Sequence, residues 1–359
     1  MFYRLAGIHH TRYETERRVL NFPFDRFQVG LVLVLVLSAP LWISKLYLSG
    51  YILPWIIWST AALSLNLLMG WAGQIHLGYA AVMAIGAYTA VHLGNAGLPL
   101  ELALLGAGLG SAMIGLVFGA AALRVKGLYL AVSTLALQFL VQWIIVHVPA
   151  IGGGHASTVQ APVIKVLGLA VTSDAGAYYV ALAWCLLVTV FMINLQRTAF
   201  GRALVALREK DYAAEMIGIN TFHYKTMAFW VSSFLGGVTG AVLAFTYYRA
   251  VTVEQFSIDV SIQVLAMVII GGLGNIVGSF MGAGFILLAP SIINNLLSWT
   301  SGGLGFNLPV AWLTNIQLMT YGGLIVVFLL VEPLGLAKIY FNVRNYFLVW
   351  PFGYMKRQV

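Results

Sequence analysis

Repeatedly along this chain about twenty residues pass without a charged side chain, the length of helix that crosses the hydrocarbon core of a bilayer. That pattern leaves few folds open. In lipid every backbone amide and carbonyl needs a partner inside the segment, so such stretches become helices. The chain is 61% hydrophobic and 8% charged, whereas a soluble domain carries roughly a quarter charged residues. It cannot cover itself with a surface compatible with water. The sequence predicts an all-α, polytopic bundle of membrane helices.

About ten apolar segments are expected at a span of roughly twenty residues each. They lie near 28–44, 51–69, 75–93, 102–123, 127–148, 177–196, 226–248, 260–272, 277–297 and 312–331. The eighth is short, and the turns near 70–76 and 271–278 are rich in glycine. Both turns are candidates for broken or re-entrant helices, which membranes accept where protein or a watery cavity covers the backbone.

Charge supplies a topology. With the N-terminus in the cytoplasm and ten alternating spans, inside segments hold all but three of the 19 lysines and arginines. Lys45, Lys165 and Arg249 are the three outside. This is the bias of the positive-inside rule, and it puts both termini in the cytoplasm. The expected organisation is a cytoplasmic tail over 1–26, a permease domain over 27–335 and a second tail over 336–359. The first tail has no small-residue cleavage site after a short apolar run, so it reads as retained. The formal charge of +8 is spread between segments, which argues for topology and against nucleic acid as a partner. Lipid is the expected surroundings, in a bacterial or archaeal cytoplasmic membrane.

Glycine spacing predicts close helix packing. Gly106 and Gly110, Gly115 and Gly119, and Gly236 and Gly240 form GxxxG pairs, and Gly274, Gly278 and Gly282 would stack along one helix face.

The chemistry is sparse. Carboxylates and amines are nearly missing from the apolar segments, and Glu101, Arg249 and Asp259 fall at predicted segment ends. A pump coupled to protons or sodium usually keeps such groups inside. No lysine follows a glycine, so the phosphate-binding GxxxxGK[ST] pattern cannot occur. If ATP drives this chain, another subunit hydrolyses it. The histidines show no metal-ligand spacing beyond the adjacent His9 and His10. Neither an enzymatic activity nor a bound cofactor or metal is expected. Cys185 is the single cysteine.

Polar residues within the apolar segments are neutral: Asn66, Gln74, Gln138, Gln142, Gln263, Asn294 and Asn295. Thr134, Gln138 and Gln142 share one helix face. They either line a path for a neutral or zwitterionic solute or bond neighbouring helices together. Gln74, His76, Tyr79, Thr134, Gln138, Gln142 and Gln263 are the candidate path residues, with packing as the alternative for His76 and Tyr79.

The densest charge cluster outside the N-terminal tail lies in the 197–225 connection. There Ala203, Leu207, Ala214 and Ile217 could form one face of a short amphipathic helix, with Arg208 to Asp211 in water and Gly218 as its stop. It is either a helix resting at the lipid boundary or a docking element. Glu209 through Gly218 resembles the EAA loop of ABC importer permeases, the helix that seats in a groove of the ATPase. More specifically, the chain resembles LivM-type permeases of branched-chain amino acid importers. The resemblance runs in family order through Gly70-Trp71-Ala72-Gly73-Gln74 to Gly86-Ala87-Tyr88-Thr89, Gly127-Leu128-Tyr129-Leu130-Ala131 and Phe200-Gly201-Arg202-Ala203. It continues through Ala213-Ala214-Glu215 with Gly218-Ile219-Asn220, and Ala266-Met267-Val268 into Gly271-Gly272-Leu273-Gly274.

The resemblance implies three kinds of partner: a second, LivH-type permease, two cytoplasmic ATPases holding ATP and Mg, and an extracytoplasmic solute-binding protein. It implies that Arg208, Glu209, Asp211, Ala213, Ala214, Glu215 and Gly218 couple this chain to the ATPase. Two stretches depart from the family pattern: His76-Leu77-Gly78-Tyr79 stands where Ser-Leu-Gly-His is common, and Ile151-Gly152-Gly153-Gly154 replaces a Thr-Gly-Gly signature. Urea, amides and aromatic or other organic acids therefore stay open as substrates. An ATP-independent carrier or channel is the rival of a different class.

Overall fold

The computed structural model describes residues 23–122, 128–154, 158–166, 169–171, 173–304, 319, 322, 323, 326, 330 and 335–349. Most of the first tail and most of the tenth predicted segment lie outside these residues.

Two long helices make the centre. Helix α2 runs from Lys45 to Trp71, and the later helix α9 from Thr221 to Tyr248. Their apolar stretches are 89% and 83% buried, against 39% for each of the four other helices able to span. A helix apolar on every side is a core helix, and both sequences read that way. The others surround this pair: α1 (Pro23–Trp42), α3 (Tyr79–Asn95), α4 (Leu100–Ala122), α5 (Leu128–His147), α6 (Asp174–Arg197), α10 (Ile258–Gly271) and α11 (Ile276–Leu304). Among the described residues, six helices are long and apolar enough to cross a membrane, fewer than the ten segments expected. The deficit has identifiable causes. Helix α3 begins only at Tyr79, after a non-helical return over 72–78, and the apolar helical stretches Arg26–Trp42 and Ile276–Ile292 are likewise too short.

Both central helices end in a π-turn and then break. Leu67–Trp71 closes α2, with the Ala72 amide donating to the Leu67 carbonyl; Ala244–Tyr248 closes α9, with the Arg249 amide donating to Ala244. After the first break the chain re-enters the bundle before α3 starts at Tyr79; after the second it passes through a short strand and a 3-10 helix, Val253–Phe256, before α10 starts at Ile258. The two breaks lie at opposite ends of the molecule. The first adjoins the 197–225 connection. The second adjoins a cap of short strands, where β1 (Thr158–Gln160) pairs antiparallel with β4 (Ala250–Thr252), and β2 (Ile164–Val166) with β3 (Leu169–Val171). There the exposed Arg249 bonds Asp174 at 2.7 Å.

Glycine sets the helix spacing. A Cβ on Gly86 would strike the Gly237 carbonyl, and one on Gly240 the Met83 carbonyl, so α3 and α9 touch backbone to backbone. Gly115 and Gly119 admit Ser233 and Phe229 of α9 against α4, while Gly106 and Gly110 face Leu93 and Thr89 of α3. Gly278 and Gly282 bring α11 against Gly271 and Met267 of α10. Gly274 does not share their helix. It sits in the turn before α11 at φ +82, a left-handed conformation that a side chain strains.

Candidate functional site

The 197–225 connection folds into two helices rather than one: α7 (Ala199–Glu209) and α8 (Asp211–Met216), broken at an extended Lys210. Thr198 caps α7 by accepting from the Gly201 amide at 3.3 Å. Ala203, Leu204, Leu207 and Ala214 are buried, in keeping with their spacing. Ile217 is not; it is 75% exposed because the break at Lys210 turns α8 off the line of α7. Gly218 does terminate the loop, at φ +87 with open space around it. Tyr212, Met216 and Ile217 form an exposed apolar surface beside the exposed Glu209, Lys210 and Glu215.

This loop is fastened to the first broken helix. Arg208 donates to the Gly70 carbonyl at 2.6 Å and lies over Gly73. Gly70 packs on Gly274, and Trp71 Nε1 donates to the Gly274 carbonyl at 3.0 Å. Asn66 completes the clamp: its Oδ1 accepts from the Gly274 amide at 2.8 Å, and its Nδ2 reaches the Asn275 carbonyl and Ser279 Oγ, both at 2.9 Å. The end of α2, the α10–α11 turn and the exposed loop therefore form one connected unit. Beneath α8, Asp211 accepts from Lys225 Nζ at 2.8 Å while its Oδ1 is buried without a partner. Gln74, Arg208, Glu209, Asp211, Glu215 and Lys225 help line a cavity of about 460 Å³ there.

A second cluster joins the two re-entrant segments deep in the bundle. Gln138 Oε1 accepts from the Ala81 amide at 2.8 Å and from Ser261 Oγ at 3.1 Å, and Nε2 donates to the Phe256 carbonyl at 2.7 Å. Ser261 Oγ also accepts from the Ala80 amide at 2.8 Å, and Thr134 Oγ1 accepts from the Leu77 amide at 3.0 Å. The first amides of α3 have no partner within their own helix, so these side chains satisfy them where water is excluded. Gln142 adds a longer bond to Phe256, 3.3 Å. The Tyr79 hydroxyl meets Ser64 Oγ at 2.5 Å, and the buried His76 ring packs against Tyr79 and Phe229.

The structure thus gathers Gln74 at the loop cavity and His76, Tyr79, Thr134, Gln138 and Gln142 around the bundle interior. Gln263 stands apart, half-exposed on α10. Asn66, Ser261 and Lys225 are the participants that spacing does not single out. A lone serine or asparagine in an apolar run carries no periodic signal.

Residues 47–329 match the family described as branched-chain amino acid transport system / permease component. The chain belongs to this family. Among curated relatives, the permease is 30% identical over 306 residues to the LivM protein of a high-affinity branched-chain amino acid transport system in Salmonella typhimurium, covering 78% of this chain and 68% of that one. It is 26% identical to a probable branched-chain amino acid permease LivM of Methanocaldococcus jannaschii, over 66% and 68% of the two chains. A guanosine ABC transporter permease of Bacillus subtilis, NupQ, is 28% identical over 63% and 76%. No solved structure matches it. The permease is therefore a multi-pass inner-membrane subunit of an ABC importer, and works with the other components of such a system.

Proposed function

We propose that this permease imports branched-chain amino acids, or a small solute related to them, in assembly with a LivH-type second permease, two cytoplasmic ATPases and an extracytoplasmic binding protein. ATP and Mg reside on the ATPases, and this chain hydrolyses nothing. Both termini and the α7–α8 loop face the cytoplasm, with tails over 1–26 and 336–359 around the permease domain. The observation carrying this reading is the Arg208 bond to Gly70, which fastens an exposed loop to a broken membrane helix. A partner pressing on Tyr212, Met216 and Ile217 would move α7–α8 and, through Arg208, the paired turns at Gly70 and Gly274. Arg208, Glu209, Asp211, Ala213, Ala214, Glu215 and Gly218 form the coupling element. Ala214 anchors it inward and Gly218 ends it.

The test is ATPase stimulation in lipid nanodiscs with the complete importer, across amino acids, urea and aromatic acids. Stimulation by leucine, isoleucine or valine is the expected result. Stimulation by urea or an aromatic acid alone would move the substrate. Failure to assemble with any ATPase would refute the importer reading and favour an ATP-independent carrier.

A further inference from the structure

Asp259 is a carboxylate where the bilayer should be driest. Twelve residues of α10 separate it from Gly271, about 18 Å at the helical rise, and Gly271 packs at the α7–α8 end beside Gly278. A second route through the bundle gives a similar depth. Ser261, half a turn further along α10, bonds Ala80, whose neighbour Tyr79 reaches Ser64. Ser64 stands seven residues before the end of α2, about 10 Å from it. With a hydrocarbon core of about 30 Å, Asp259 lies near the middle.

It is also exposed. Asp259 and Ile262 are exposed on the outer face of α10, and Gln263 is half-exposed one turn from Asp259. Neither of the two ion pairs among the described residues includes Asp259. A bare carboxylate at this depth does not face acyl chains; ionisable groups within membranes face water-filled cavities or partners. The short 3-10 helix just before α10, Val253–Phe256, carries a second exposed carboxylate, Glu254. Asp259 also lies in the first turn of α10, where the helix end favours a negative charge.

We infer that the Asp259–Gln263 face of α10 lines the solute path, with Asp259 receiving the protonated amine of the solute and the Gln263 amide its carboxylate. Side chains four apart on a helix have Cβ atoms about 5–6 Å from each other, a spacing that brackets the two charged ends of a zwitterion. This assignment rests on the importer reading. It narrows the open solutes to those with a free ammonium group, and disfavours urea and simple acids.

The experiment uses the complete importer in nanodiscs, with Cys185→Ser as background and single Asp259→Cys, Ile262→Cys or Val34→Cys changes. Val34 is an exposed residue of α1 and serves as the lipid-facing control. A membrane-impermeant, cationic methanethiosulfonate should modify positions 259 and 262, and L-leucine with the binding protein should slow it. Position 34 should react with a lipid-soluble maleimide alone. In parallel, with the same importer reconstituted into sealed proteoliposomes for uptake, Asp259→Asn should lower L-leucine uptake about tenfold, as loss of a charge-assisted bond implies, and Asp259→Glu should restore most of it. If the Val34→Cys importer transports normally while positions 259 and 262 resist aqueous reagent, lipid or the second permease covers this face and the inference fails alone. If that control shows no ATP-coupled uptake, the importer reading fails and carries the inference with it.

Discussion

Replacing Gln138 with leucine keeps the side chain's bulk and removes three hydrogen bonds from the bundle interior. The Ala81 amide and the Ser261 hydroxyl lose their acceptor, and Phe256 keeps just the 3.3 Å bond from Gln142. Each buried polar group left without a partner costs about 1–3 kcal/mol, so two such groups imply roughly 2–6 kcal/mol. Gln142→Leu is the internal comparison. It removes one long bond to the same carbonyl from a half-buried side chain, worth about 1 kcal/mol or less. Thermal unfolding of purified variants in nanodiscs, followed by intrinsic fluorescence, should rank native chain, Gln142→Leu and Gln138→Leu in falling order, with a wide gap before the last. Gln138→Leu should also lose solute-stimulated ATP hydrolysis in the assembled importer, because the two re-entrant segments are no longer held in register. Equal stability of the two variants would refute the claim that Gln138 joins the segments.

Glu209→Lys should uncouple ATP hydrolysis from uptake while membrane insertion stays normal, and coupled uptake in reconstituted vesicles checks it. Gly218→Ala should weaken coupling through backbone strain of about 1 kcal/mol, and Gly218→Asn, which tolerates the left-handed conformation, should weaken it less; the same uptake assay ranks the two. Arg208→Met should raise ATPase activity that solute no longer controls, since the bond to Gly70 is lost. Gly282→Leu should abolish the stable importer altogether, read as loss of the monodisperse complex on size exclusion, because even a Cβ there meets the Met267 carbonyl.

Much of the fold is legible in the sequence because membranes leave few choices. A run of apolar residues such as 102–123 has one stable form in lipid, and the structure has it as a helix over Leu100–Ala122. The glycine-rich turns near 70 and 271 announce broken helices, since closely packed turns need residues without side chains. Ala203, Leu207 and Ala214 stand out by their spacing. The features that spacing misses are set by tertiary contact. The break at Lys210 obeys no pattern in the sequence, and it turns Ile217 outward. Helix α10 starts at Ile258, two residues before the apolar run at 260–272, and that offset is enough to make Asp259 read as an edge residue. Thr134 and Gln138 share a face by their spacing, but which backbone groups they serve depends on where α3 begins, and no periodicity reports that.

The π-turns have a consequence for how such a chain can change over generations. A π-turn holds one residue more than an α-helical turn over the same rise, so Leu67–Trp71 and Ala244–Tyr248 each contain a residue that a regular helix would not need. Deleting one residue from such a turn restores α-geometry there and leaves the helix on either side in register, whereas deleting one from a regular stretch of α2 rotates everything after it by about 100°. Trp71 can keep its bond to Gly274 in the first case and cannot in the second. The π-turns are therefore the places where these two central helices can change length by one residue at the least cost to the contacts beyond them.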